Sequence, residues 1–128
     1  MKYLTPQQVL AIHYKMVERF GGSHGIRDIG LLESAVARPQ ASFDGEDLYI
    51  TIFDKAAALL QSLLKNHPFV DGNKRTALTS SGMFLRINGY KLINAHKDEV
   101  EFAVKVDNHN LTLEEIANWL KKNSHKLT

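Results

Sequence analysis

Residues 66 to 78 read NHPFVDGNKRTAL. This short stretch gathers an imidazole, a carboxylate, a glycine, an amide and two cations. Histidine is the side chain whose charge changes near neutral pH, so His67 is the candidate for accepting a proton. Asp71 is a hard oxygen ligand of the kind Mg²⁺ takes when phosphate oxygens and water fill the rest of its shell. Gly72 lets the backbone turn tightly and come close to a ligand. Asn73 tolerates unusual backbone angles and reads as the cap of a helix that starts here. Lys74 and Arg75 put positive charge into the first turn of that helix, against its dipole, at a cost of about 0.3–1 kcal/mol each. A bound anion would offset that cost, and a helix N-terminus already offers backbone N–H groups to phosphate.

Every one of these features also has a plain structural reading. Pro68 can simply end a helix, with Phe69 plugging the core. Asp-Gly-Asn is a common turn, and lysine and arginine at a helix start are often just solvated. The residues alone leave both readings open. They do argue against a P-loop, since no GxxxxGK[ST] occurs. They also argue against a zinc site, since no histidine follows His67 at the fourth position and the chain has no cysteine.

The elements that must position this stretch are helical. Thr5, Pro6 and Gln8 form a capping box with proline at the first helical position. Val9, Ile12, Met16 and Phe20 then recur at helical spacing, and Gly21-Gly22 ends the helix. Asp28 caps a short helix through Leu31, Leu32, Ala35 and Val36 that stops before Pro39. Residues 51 to 66 carry Phe53, Ala56, Ala57, Leu60, Leu63 and Leu64 on one face and suit a central helix. The chemical loop follows, and residues 74 to 90 read as the next helix, with Asn88-Gly89 as its C-cap. Two amphipathic pieces finish the chain, one over about 97 to 106 and one from Thr112 with Glu115 completing its box. Between Pro39 and Ile50, Phe-Asp-Gly-Glu is either a turn between two extended pieces or a surface loop. No sustained strand alternation, repeat or linker occurs, so the expectation is an all-α, single-domain chain over residues 1 to 128.

The whole chain sets outer bounds. Its 128 residues allow one modest core, and 44% hydrophobic with 23% charged residues is ordinary for a globular protein. A net charge of +2 tolerates an anionic ligand without arguing a nucleic-acid partner. The absence of cysteine fits a reducing compartment. There is no signal-peptide core and no run near the roughly 20 apolar residues of a membrane span. The expectation is a cytoplasmic protein with neither membrane nor direct nucleic-acid partners.

The stretch HPFVDGNKR resembles the signature of the Fic/Doc superfamily, HxFx(D/E)GN(G/K)R, at His67, Phe69, Asp71, Gly72, Asn73 and Arg75. Upstream, GGSHGIRDIGLLESAVARPQ resembles the Doc (death-on-curing) toxin branch. The resemblance implies a compact helical bundle, the Fic fold, with its active-site loop between two central helices. It implies His67 as general base, Phe69 as anchor of the loop, and Asp71 as the Mg²⁺ ligand. Gly72, Asn73 and the following backbone N–H groups would form the anion cradle, and Arg75 would bind phosphate. AMP-transferring members carry glycine where this chain has Lys74, and a second arginine where it has Leu78. In the Doc branch a lysine at this place goes with kinase activity, ATP lying reversed so that its γ-phosphate is delivered. Gly72 points the other way, because the branch's namesake has alanine there.

The resemblance therefore implies a toxin that phosphorylates a hydroxyl of elongation factor Tu and arrests translation. An AMP transferase is the alternative, and a non-catalytic module that holds a nucleotide or an antitoxin is the second. Many Fic proteins silence themselves with an internal (S/T)xxxE(G/N) helix, and none occurs here. Inhibition would fall to an antitoxin of the Phd kind, its helix lying in an apolar groove near the N-terminal helix.

Elsewhere, His13 borders an apolar stripe and reads as structural. His24, His96, His109 and His125 read as surface residues in loops or the tail, and KKNSHKLT as a solvated end. Trp119 reads as a core or groove aromatic. Arg86 and Lys91 flank the end of the helix after the loop. Residues 40 to 50 are either the flap that aligns a target segment in the Fic fold or a plain loop.

Overall fold

The computed structural model describes residues 1–93 and 96–128. Six α-helices are present among them: α1 (Pro6–Phe20), α2 (Ile29–Ala37), α3 (Ile52–Asn66), α4 (Asn73–Ile87), α5 (His96–His109) and α6 (Leu113–Lys122). A single 3₁₀ turn, Arg38–Gln40, follows α2. The fold is mostly helical, as expected.

Local chemistry accounts for most helix starts. Thr5 and Gln8 exchange both bonds of the capping box at α1, and Thr112 and Glu115 do so at α6. Asp28 accepts the Leu31 N–H at the start of α2. A fourth cap, Thr51 with Asp54 at α3, completes the same reciprocal pattern. Gly21 ends α1 with φ 87°, and its N–H returns to the Val17 carbonyl.

The core is built around α3. Ten of its residues are buried, from Phe53 to Leu64, and the helix packs against α2, α4, α5 and α6. Such all-round burial needs an almost wholly apolar surface, which the Ala- and Leu-rich segment supplies. Val9, Leu32, Phe84, Val106, Ile116 and Leu120 close the same cluster from the surrounding helices. Trp119 stacks on Phe102 with ring centroids 3.9 Å apart, joining α6 to α5.

Two short antiparallel ladders complete the fold. Ser42–Phe43 (β1) pairs with Glu46–Asp47 (β2) through a turn in which Asp44 and Gly45 both have positive φ. The extended pieces around Phe-Asp-Gly-Glu are therefore a hairpin. The buried Lys55 ammonium bonds to Asp47 at 3.0 Å and ties that hairpin to α3. Its anchor lies roughly 16 Å of helical rise before the far end of α3.

Tyr90–Leu92 (β3) pairs with Ser124–Lys126 (β4). The KKNSHKLT end is mostly exposed, as expected, but it is also ordered: its centre is a strand, with His125 opposite Lys91. Three polar strand residues, of which only His125 and Lys126 are exposed, carry no apolar alternation to announce the pairing. His96 and His109 likewise begin and end α5 rather than lying in loops. Whether His96 is a surface residue falls outside the described side chains. No helix among the described residues is long and apolar enough to cross a membrane.

Candidate active site

The loop between α3 and α4 is set by two residues in left-handed conformations. His67 closes α3 at φ 46°, ψ 59°, which is uncommon for a residue with a Cβ and must be held by its surroundings. Arg27 does the holding: Nε donates to the His67 carbonyl at 2.6 Å and Nη2 to the Asn66 carbonyl at 2.5 Å. A cation thus meets carbonyls at a helix C-terminus, where the dipole favours positive charge. Gly72 is the second left-handed residue, at φ 76°.

Between these points the chain is anchored inward. Phe69 is 1% exposed and lies flat on the His13 ring, centroids 3.7 Å apart. His13 is buried, and its Nε2–H donates to the Asp71 carbonyl at 2.8 Å. Burial holds its pKa below the ordinary 6.5, with nearby His24 adding to the effect and the bond to Asp71 opposing it. His13 is structural, as expected, but the structure it supports is this loop.

Asn73 plays a different part from the one expected. It is the first residue of α4, not its cap. Its side chain accepts the Phe69 N–H at 3.1 Å and donates to the Phe69 carbonyl at 2.8 Å, bracing the turn from within. Gly72 occupies the cap position, and no side chain bonds the first-turn amides. A glycine has no side chain to bond them, and Asn73 is already committed. The α4 N-terminus therefore faces the cleft without a capping side chain.

The glycine-rich segment before α2 clamps the loop from outside. Arg27 and Asp28 N–H both donate to the Pro68 carbonyl, and Val70 N–H donates to Gly25. Ser23 N–H donates to Asp71 Oδ2 at 2.9 Å and orients that carboxylate. Gly22 passes so close that a Cβ there would lie 3.2 Å from the Asp71 Cβ, and its φ is 109°. Glycine suits the position on both counts.

A cleft of about 500 Å³ results. His67, Asp71, Gly72, Asn73, Lys74 and Arg75 all line it, so the structure brings together the six candidate site residues of the stretch, while Phe69 is buried beneath them. Met16 and Phe20 of α1 form its apolar wall. The Arg75 guanidinium lies 3.7 Å over the Phe20 ring, a cation–π arrangement that fixes its plane. Arg86 and Lys91 are elsewhere, on a separate groove beyond the far part of α4.

One charged group comes from outside the stretch. Asp107 on α5 has Oδ1 3.3 Å from His67 Nε2 and Oδ2 3.4 Å from Lys74 Nζ. Burial alone would raise its pKa, but the hydrogen bonds and charges of His67 and Lys74 outweigh this and hold it below the usual carboxylate range. Asp107, Arg27 and Ser23 escaped the reading of the sequence. Their partners lie 33 to 48 residues away, and no local spacing signals such contacts.

The arrangement suits an anionic substrate: a proton acceptor, a carboxylate, two cations and uncapped amides face one cavity. Among the described residues no three His, Cys, Asp or Glu side chains assemble as a metal cage. A divalent ion at Asp71 would thus have to draw on substrate oxygens. Mg²⁺ on a polyphosphate is coordinated in that way, and the residues present fit it.

Comparison with known proteins places the chain in a family. The chain is 60% identical over 73 residues to Toxin Doc of Mycolicibacterium smegmatis, covering 57% of this chain and 56% of that protein. It therefore spans little more than half the length of that relative. It is 35% identical over 95 residues to Protein kinase doc of Escherichia phage P1, covering 74% and 75%. The model of the Fic/DOC family matches residues 3–85, which include α1, the clamp, the loop and nearly all of α4. The chain belongs to the Fic/DOC family.

Proposed function

We propose that this chain is the toxin of a toxin–antitoxin pair and a protein kinase that moves the ATP γ-phosphate to a hydroxyl of elongation factor Tu, arresting translation. One observation carries the reading: His67 and Lys74 stand together, on one carboxylate, beside the open N-terminus of α4. A base and a cation side by side suit a hydroxyl attacking a phosphate. The names of the two relatives, one a toxin and one a protein kinase, support it.

The residues divide the work as follows. His67 accepts the proton of the target hydroxyl. The hydroxyl oxygen forms its bond to the γ-phosphorus, the bond to the β–γ bridging oxygen breaks, and the electron pair leaves on ADP. The first-turn amides of α4, Lys74 and Arg75 bind and neutralise phosphate oxygens, so positioning and charge carry most of the rate. Asp71, held by Ser23, would hold Mg²⁺ on the phosphates. When bound, that ion neutralises phosphate charge and orients the leaving group.

An AMP transferase is the second reading, favoured by Gly72. Purified protein is mixed with Mg²⁺, elongation factor Tu and ATP labelled at the α or the γ position. Transfer of γ-label alone, lost in His67→Ala, is the expected result. Transfer of α-label would replace the kinase with an AMP transferase. A His67→Ala protein that still arrests growth as the parent does would overturn catalysis altogether and leave a binding module.

The antitoxin site follows from the same region. Past Phe20 and Arg75 the cleft continues into a groove of about 270 Å³ between α1 and α4, with Leu78 and Thr79 on its floor. Beyond it lies a further groove of about 290 Å³ with the exposed Met83 on its wall. A helix with an apolar stripe would fit along α4 there and reach the cleft mouth. Met83→Glu should weaken antitoxin binding without changing γ-label transfer.

A further inference from the structure

The Lys74 ammonium needs a counter-charge and the His67 ring a hydrogen-bond partner, and the Asp71 carboxylate of their own stretch is turned elsewhere. Asp71 turns Oδ2 to the Ser23 amide. Asp107 serves both instead, one oxygen each, from a helix outside the stretch. Its side chain is 15% exposed, against 42% for His67 and 41% for Lys74. The carboxylate is thus the fixed member, and the two cleft residues lean on it. Its backbone is fixed as well. Lys65 Nζ donates to the Asp107 carbonyl at 2.8 Å and to Asn110 Oδ1 at 2.7 Å, pinning the end of α5 to α3.

A carboxylate that accepts from one imidazole nitrogen decides which nitrogen keeps its lone pair. Here the accepting oxygen faces Nε2. We propose that Asp107 is a positioning residue: it takes the Nε2–H of His67, leaving Nδ1 as the proton acceptor, and keeps the Lys74 ammonium beside that ring. The proposal rests on the reading of His67 as the base. When Nδ1 takes the hydroxyl proton, the Nε2–H stays on Asp107, and Asp107 remains ionised. Its charge also lies between the new imidazolium and Lys74, which would otherwise repel each other at short range.

The test pairs kinetics with nitrogen NMR of the imidazole, because a carboxylate that merely ties helices together would not move a tautomer. In the parent, the His67 ¹⁵N shifts are expected to show Nε2 protonated and Nδ1 bare. Asp107→Asn should give a mixed or inverted tautomer. Its kcat for γ-label transfer should fall on the order of 10- to 100-fold, the lower part of what a general base supplies. The KM for ATP should stay within about threefold, since ground-state binding is not what is lost. Asp107→Glu restores a carboxylate and should recover the parent tautomer. If Asp107→Asn does not fold, as judged by circular dichroism, Asp107→Ala carries the same readouts. Parent tautomer and parent kcat in the folded variant would overturn the proposal alone. A loss of kcat with the tautomer unchanged would also overturn it. Parent-level transfer by His67→Ala would overturn the base reading, and this proposal with it.

Discussion

The starts of α3 and α4 differ sharply, although the two helices are consecutive, equally long and packed on each other. At α3, Thr51 and Asp54 close the N-terminus with a reciprocal pair of hydrogen bonds, and the acid sits well in the dipole. At α4 a left-handed glycine stands in the cap position, no side chain bonds the amides, the first turn has no acid, and Lys74 and Arg75 oppose the dipole. The first start serves the fold. The second gives up local stability, as the anion site proposed above would require. Where a helix start breaks the rules its neighbours follow, a functional reason is the natural place to look.

That contrast can be broken from either side. The largest effect is expected from Lys74→Gly, which removes one of the two opposing cations. Transfer of γ-label should fall roughly 100-fold, the range for losing one stabilising group at a developing charge. Thermal stability should change little, because relief of the opposed dipole is offset by the glycine and by the lost pair with Asp107. Unchanged transfer would remove the main argument for a kinase.

Thr51→Ala should do the reverse, costing about 1 kcal/mol of stability in urea unfolding while transfer per folded molecule is unchanged. Gly72→Ala sharpens the point. A Cβ there would meet the His13 ring at 3.6 Å, an ordinary contact, so the cost is the left-handed backbone alone. That is roughly 1–2 kcal/mol of stability. Kinase transfer should be largely retained, and a large loss would indicate a cradle of the AMP-transferring kind.

The smallest effect concerns His13 beneath the loop. Its pKa in the fold is lowered, chiefly by burial, so the folded state favours the neutral ring. The unfolded chain then binds more protons once the pH drops below the ordinary value of 6.5. The stability this gives is complete above that value and is lost as the pH falls through the folded pKa. Urea midpoints of the parent should therefore drop between about pH 7 and about pH 5 by more than those of His13→Gln. Equal drops would mean that His13 does not titrate with unfolding.

The sequence showed much of this because so much of it is local. Caps at Thr5, Asp28 and Thr112 rest on residues three apart, and the six cleft residues sit within nine consecutive positions. The parts that were missed depend on long-range closure. Asn73 reads as a cap from its type, but the tertiary turn gives its amide to Phe69 instead. Strand Ser124–Lys126 carries no apolar alternation, and its partner lies across two helices. Asp107 and Arg27 act from opposite sides in sequence, each 40 residues from His67. Nothing in the type or spacing of either residue marks its partner.

Those two separations have opposite signs, and this bears on synthesis. A chain leaves the ribosome N-terminus first. Arg27 and the glycine-rich clamp are already outside when His67 emerges, so the loop can be seized as soon as it appears. Asp107 follows 40 residues later. For a protein that would arrest translation, the order matters. The loop is shaped early, but its imidazole and lysine meet their shared carboxylate only after α5 has followed them out.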